Sequence, residues 1–167
     1  MPELAGVFGV KFPVSDLARS RVFYERVFGL SPLFEFPDEG GVVRGVAYEI
    51  PGVPGTCLAL RENSPVAAGI SGFDPVIFSV ADRAAVDAWA AHLAACAVAH
   101  DVVPGTLGWV VVFHDPDGTE IHLYSREPHG LDRVGAPGHG RSVGAEPGAC
   151  TTTWTTGRAS ARTASSP

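Results

Sequence analysis

The run Phe12-Pro13-Val14-Ser15-Asp16 is echoed 66 positions later by Phe78-Ser79-Val80-Ala81-Asp82. In both places a short apolar strand ends at a valine, and an aspartate able to cap a helix follows. The spacing predicts helices over 16–28 and 82–97. Leu17, Phe23, Tyr24, Val27 and Phe28 fall on one side of the first, and Gly29 is a suitable C-terminal stop. Val86, Trp89, Ala90, Leu93 and Ala97 form one stripe on the second, with His92 off that stripe and at the surface. Three strand-like segments follow each helix, at 33–36, 42–50 and 56–61, then at 98–102, 109–113 and 119–125. The turn signals "PDEGG", "PGVPG" and "DPDG" separate them. Strand–helix–strand–strand–strand therefore occurs twice, and one such unit buries too little to stand alone. The expected fold is α+β: two βαβββ repeats forming a cupped, eight-stranded mixed sheet, with helices on the convex face and the concave face open to a ligand.

The repeats end near Pro128. Beyond it the chain is rich in Gly, Ser, Thr, Ala and Pro and poor in large aliphatic residues, too little apolar surface to offset the entropy of ordering. Residues 1–128 are read as one domain and 129–167 as a flexible, low-complexity tail in which Trp154 is an isolated aromatic. Charge divides the same way. Residues 1–127 carry 16 acidic and 8 basic side chains, a net of -8; residues 128–167 carry 2 and 4, a net of +2. An acidic folded region argues against a nucleic-acid partner and would suit a cationic or neutral small molecule. No apolar run is long enough to span a bilayer, and the N-terminus lacks a basic start followed by a long apolar stretch. A cytoplasmic protein with no membrane partner is expected. Cys57, Cys96 and Cys150 are three, far apart and without a C-x-x-C pair, so neither a disulfide framework nor a thiolate metal site is indicated.

The stretch "FHDPDGTEIHLYS" (113–125) is a turn followed by a strand. Ile121 and Leu123 point to one face of that strand, and Glu120, His122 and Tyr124 to the other. A histidine between a carboxylate and a phenol is a candidate metal ligand or general acid–base.

Together with "FPVSDLARSRVFYERVFGL" (12–30), this hairpin makes the chain resemble the vicinal oxygen chelate superfamily, which includes glyoxalase I, extradiol dioxygenases and bleomycin-resistance proteins. The resemblance covers about the first 128 residues. It implies the cupped fold, a homodimer and, in the metalloenzymes, a divalent ion held on the concave face by His and Glu from the outer strands of the two repeats. The corresponding positions here are Gly9, Ala59, Pro75 and His122. Three of the four offer no side-chain donor, and one imidazole does not hold a divalent ion against water. Asp74, Glu120 and His114 lie close in sequence to these positions, but Asp74 has the parity of the opposite face.

Strand parity collects Lys11, Cys57, Ala59, Arg61, Ile77, Ser79, Glu120, His122 and Tyr124 in the cup, with Trp109 beside them and with Arg44 and Tyr48 sharing one face of the middle strand. The vacancies at Gly9 and Ala59 leave room for an organic molecule. The expected function is metal-independent binding of a small organic ligand, an antibiotic being one candidate, with Lys11, Cys57, Arg61, Trp109, His122 and Tyr124 as ligand contacts and no cofactor. The alternative is a lyase, isomerase or dioxygenase in which His122, oriented by Glu120, serves as general acid or base, or joins a non-standard site for Fe, Mn, Ni or Zn.

Overall fold

The computed structural model describes residues 2–141. The first repeat consists of β1 (Gly9–Val14), α1 (Leu17–Phe28), β2 (Pro32–Pro37), β3 (Val43–Glu49) and β4 (Cys57–Glu62). A short helix that the sequence pattern did not suggest, α2 (Ser64–Gly69), leads into the second repeat. That repeat holds β5 (Ile77–Val80), α3 (Arg83–Ala95), β6 (His100–Pro104), β7 (Gly108–His114) and β8 (Glu120–Pro128). Each repeat makes its own four-stranded mixed sheet, in the orders β1-β4-β3-β2 and β5-β8-β7-β6. The eight expected strands are thus hydrogen-bonded as two sheets of four. In each, the first strand runs parallel to the last and the others are antiparallel.

The paired aspartates of the echo act as helix caps. Asp16 accepts a hydrogen bond from the Arg19 backbone N–H at 2.9 Å, and Asp82 one from Ala85 at 2.8 Å. Gly29 closes α1 in the left-handed region, at φ 64°, a conformation that is costly for any side chain with a Cβ.

One core joins the repeats. Phe12, Val14, Leu58 and Leu60 face the helices from the first sheet, and Val111, Phe113, Ile121 and Leu123 from the second; all are buried. Helix α1 binds to both. Its Tyr24 ring lies 5.5 Å from Phe12, while Phe23 and Phe28 lie 6.5 and 6.1 Å from Phe113. Helix α3 packs on β6, β7 and β8.

The "DPDG" turn ties the repeats with polar groups. Tyr24 Oη donates to Asp115 Oδ2 at 3.0 Å in the core. Asp117 accepts from the Ser15 backbone N–H at 2.9 Å and pairs with Arg19 at 2.5 Å, beside the start of α1. Burial pushes the Asp115 carboxyl up, against the opposing pull of the N–H groups of Thr119 and Asp117 and the Tyr24 hydroxyl. Tyr24 is in turn pushed well up by its own burial and by the Asp115 charge.

Strand β8 ends at Pro128. Residues 129–141 contain no regular element, but His129 Nε2 lies 2.9 Å from the Gly105 carbonyl and Gly140 N–H donates to Thr106 Oγ1 at 3.1 Å. Most of the stretch read as a tail, with Trp154 and Cys150, lies outside the described residues. Among the described residues no helix is long and apolar enough to cross a membrane.

Candidate ligand-binding site

The face of the first sheet that turns away from α1 is built in rows, set by strand register. Lys11 pairs with Ala59, Ala59 with Ala47, and Ala47 with Phe34. In the next row Pro13 pairs with Arg61, Arg61 with Gly45, and Gly45 with Phe36. Each row therefore places a cation on β1 or β4, small residues in the middle and a phenylalanine on the edge strand β2. With strands spaced about 4.8 Å apart, the row from Lys11 to Phe34 spans roughly 14 Å. The hollow above this floor has a volume of about 490 Å³ and is completed by Phe8, Gly9 and Cys57. That falls within the range of about 300–1,000 Å³ typical of organic-ligand sites.

Three features keep the hollow open. Gly45 lets Arg61 lie flat: a Cβ at that position would sit 3.3 Å from Arg61 Cδ and 3.5 Å from its Nη1. Gly9 has Cys57 at its side, where a Cβ would meet the Cys57 carbonyl at 3.0 Å. Phe34 and Phe36 remain 63% and 45% exposed, because β2 is an edge strand with no strand beyond it among the described residues.

Of the residues expected in the cup, Lys11, Cys57 and Arg61 line this hollow. His122, Glu120 and Tyr124 do not; they lie on the second sheet, where β8 pairs with β5 and β7. The residues expected to line the cup thus divide between the two sheets. Trp109 does not line this hollow either. It packs against the core on the helix side, with Arg83 4.1 Å from its ring centroid and His129 set edge-on at 5.8 Å. The register shift between Gly108 and Val110 interrupts the alternation there. Arg44 and Tyr48 are likewise absent from the lining of the hollow. Tyr48 is fully buried with its hydroxyl donating to Glu25 at 3.0 Å, and Arg44 pairs with Asp38 and Glu62 at 3.0 and 2.6 Å. Burial is the main reason that the Tyr48 phenol is pushed far up. Tyr124 has its hydroxyl engaged by the β6–β7 turn, where it accepts from Leu107 N–H at 2.9 Å.

Phe8, Phe34, Phe36 and Ala47 also line the hollow and were absent from the expected lining. The alternation Phe34-Glu35-Phe36, with Glu35 paired to Arg21 of α1 at 2.6 Å, was the available signal for β2.

The second sheet carries a different group. His122 Nε2 lies 2.6 Å from Glu120 Oε1 and its Nδ1 3.3 Å from Asp74 Oδ2. His114 Nε2 lies 3.4 Å from the other Glu120 oxygen. Strand parity alone puts Asp74 on the opposite face. Strand β5 begins only at Ile77, so parity does not reach residue 74 and the loop turns its carboxylate towards His122. Both imidazole nitrogens therefore face carboxylates. Among the described residues no group of three or more His, Cys, Asp or Glu side chains is arranged to hold a metal ion, and Gly9, Ala59 and Pro75 supply no donor. These residues do not fit the metal centre implied by the resemblance.

A further cleft of similar size lies at the start of α1. Its polar groups Arg21, Glu62 and Ser15 are already engaged with Glu35, Arg44 and Asp117.

The chain matches the family model described as the Glyoxalase/Bleomycin resistance protein/Dioxygenase superfamily over residues 7–123. No curated protein matches it. Among solved structures it is similar to TnmS3, an antibiotic binding protein from Streptomyces sp. CB03234. The identity is 28% and the TM-score 0.59, with 75% of this chain and 98% of that one covered. A likeness of fold alone extends to a lactoylglutathione lyase from Agrobacterium tumefaciens, at 18% identity and TM-score 0.58 over 74% of this chain and 96% of that one. It extends equally to the fosfomycin resistance protein FosX from Listeria monocytogenes, complexed with Mn(II) and sulfate, at 16% identity and TM-score 0.57 over 74% and 91%. The protein belongs to the glyoxalase/bleomycin resistance protein/dioxygenase superfamily.

Proposed function

We propose that the protein binds a small organic molecule, of the antibiotic class, on the open face of its first sheet and does so without a metal ion. The observation that carries this reading is the pair of rows Lys11–Ala59–Ala47–Phe34 and Arg61–Gly45–Phe36. A flat floor of small residues between an aromatic wall and two cations accommodates an organic guest, and it offers no set of metal donors. The similarity to an antibiotic binding protein supports the same reading. Calorimetric titration of EDTA-dialysed protein with a panel of polycyclic aromatic antibiotics tests it. Micromolar or tighter binding that survives dialysis and is lost in Phe34→Ser/Phe36→Ser supports the proposal; binding only after a divalent ion is restored overturns it.

A homodimer, in the cytoplasm, is part of this proposal. Leu33, Phe34 and Phe36 on β2 and Leu4, Val7 and Phe8 before β1 are exposed, and a second copy would cover the share of that apolar surface which the guest leaves open. Light scattering on the purified protein gives the mass directly.

A second reading, general acid–base chemistry at His122, is favoured by the carboxylates of Glu120 and Asp74 on its two nitrogens. Loss of turnover in His122→Ala, on any substrate the wild type converts, would establish it.

A further inference from the structure

We propose that the hollow on the first sheet selects planar aromatic ligands that carry a negative charge, such as a carboxylate, phenolate or sulfonate. This rests on the binding reading above and adds the chemical class of the ligand.

The two faces of the sheet treat their cations differently. On the helix side, Arg21 is held by Glu25 and Glu35, and Arg44 by Asp38 and Glu62. On the open side, Lys11 and Arg61 have no carboxylate partner among the described residues. Both line the hollow, and no acidic residue does. Glu49 is the one carboxylate of β3 on this face, and it lies at the end of the neighbouring row Gly9–Cys57–Glu49, outside the lining. A region of net charge -8 thus presents two uncompensated cations at its open cavity. The overall charge of the folded region suits a cationic or neutral guest, whereas the local arrangement at the hollow favours an anionic one.

The remaining lining fixes the shape of the guest. Ala47, Ala59 and Gly45 form a level floor on which only a flat molecule makes continuous contact. Phe34 and Phe36 stand at the far end of the same rows, placed to meet ring edges or faces. Arg61, laid across Gly45, directs its guanidinium along the floor towards Phe36. A planar anion bridging the rows would put its rings against β2 and its charge against Lys11 and Arg61. Arg61 supplies paired donors for an oxyanion and Lys11 a point charge.

Three fluorescent probes on one ring system test this: anthracene-9-carboxylate, neutral 9-anthracenemethanol and cationic 9-(aminomethyl)anthracene, each titrated at pH 7 and low salt. The carboxylate is expected to bind about tenfold more tightly than the ammonium, an advantage that shrinks in about 0.5 M salt because both cations are partly solvated. In the double variant Lys11→Gln/Arg61→Gln the three probes are expected to converge to within about threefold. Circular dichroism and the melting curve confirm that this variant is folded. An ammonium probe that binds as tightly as the carboxylate, or a carboxylate preference that persists in the double variant, overturns the charge assignment and leaves the binding reading standing. Failure of all three probes and of the antibiotic panel removes the binding reading itself, and this inference with it.

Discussion

Arg61 lies across Gly45. A Cβ at residue 45 would come within 3.3 Å of Arg61 Cδ and 3.0 Å of the Leu60 carbonyl. The absent side chain therefore shapes the floor of the hollow, since it lets a guanidinium lie along it. Gly45→Ala is expected to lift Arg61 and to weaken binding of anthracene-9-carboxylate several-fold, at a stability cost of about 1 kcal/mol. Fluorescence titration and urea unfolding of the same sample measure both. Unchanged affinity would mean that Arg61 makes no contact with the guest.

Tyr124 was expected to touch ligand, yet its hydroxyl accepts from the Leu107 N–H, and its ring leaves no room for a side chain at Gly105. Tyr124→Phe is expected to destabilise the protein by about 0.5–1 kcal/mol, because the exposed Leu107 N–H exchanges its protein acceptor for water. Probe affinity at the first sheet should stay within twofold, roughly the scatter expected for a remote substitution. A large loss of affinity with unchanged stability would show that Tyr124 contacts the ligand.

The Ser20 hydroxyl is fully buried on α1 and has no hydrogen-bond partner among the described residues. An unpaired buried hydroxyl destabilises, and alanine is the better helix former. Ser20→Ala is therefore expected to raise stability by about 0.5–1 kcal/mol. Urea midpoints decide it, and a loss of stability would point to a bond that the hydroxyl makes in solution.

Asp115 joins the second repeat to Tyr24 of the first, and burial raises its folded-state pKa above that of the unfolded chain. The folded state then holds this proton more tightly. Its stabilising contribution is fully present below the ordinary aspartate pKa of about 4 and is lost as pH rises through the raised folded value. Compared with Asp115→Asn, the wild type should gain stability as pH is lowered from neutral, with the difference levelling off below about pH 4. Urea unfolding of both proteins across that range checks the sign. A wild-type advantage that grows as pH rises would contradict it.

The repeat was legible in the sequence because Asp16, Asp82 and Gly29 mark helix ends chemically and because the stripe on α3 is clean. The open face was legible where a strand is long and bounded by such marks: Lys11, Cys57 and Arg61 fall where alternation puts them. It failed on β3. There the polar pair Arg44 and Tyr48 suggested an outward face, yet both find carboxylates on the helix side, and the small residues Gly45 and Ala47 form the floor. Period-two alternation fixes which residues share a face but leaves open which face meets the helix. Asp74 escaped because it precedes the strand, so no parity governs it. Trp109 escaped because a register shift sits beside it.

Chemical-shift mapping of metal-free, isotope-labelled protein titrated with anthracene-9-carboxylate tests the central claim most directly. Perturbations should cluster on Lys11, Phe34, Phe36, Ala47, Ala59 and Arg61, with EDTA present throughout. A cluster on Asp74, Glu120 and His122 instead, or shifts that appear only when a divalent ion is added, would contradict a metal-independent site on the first sheet.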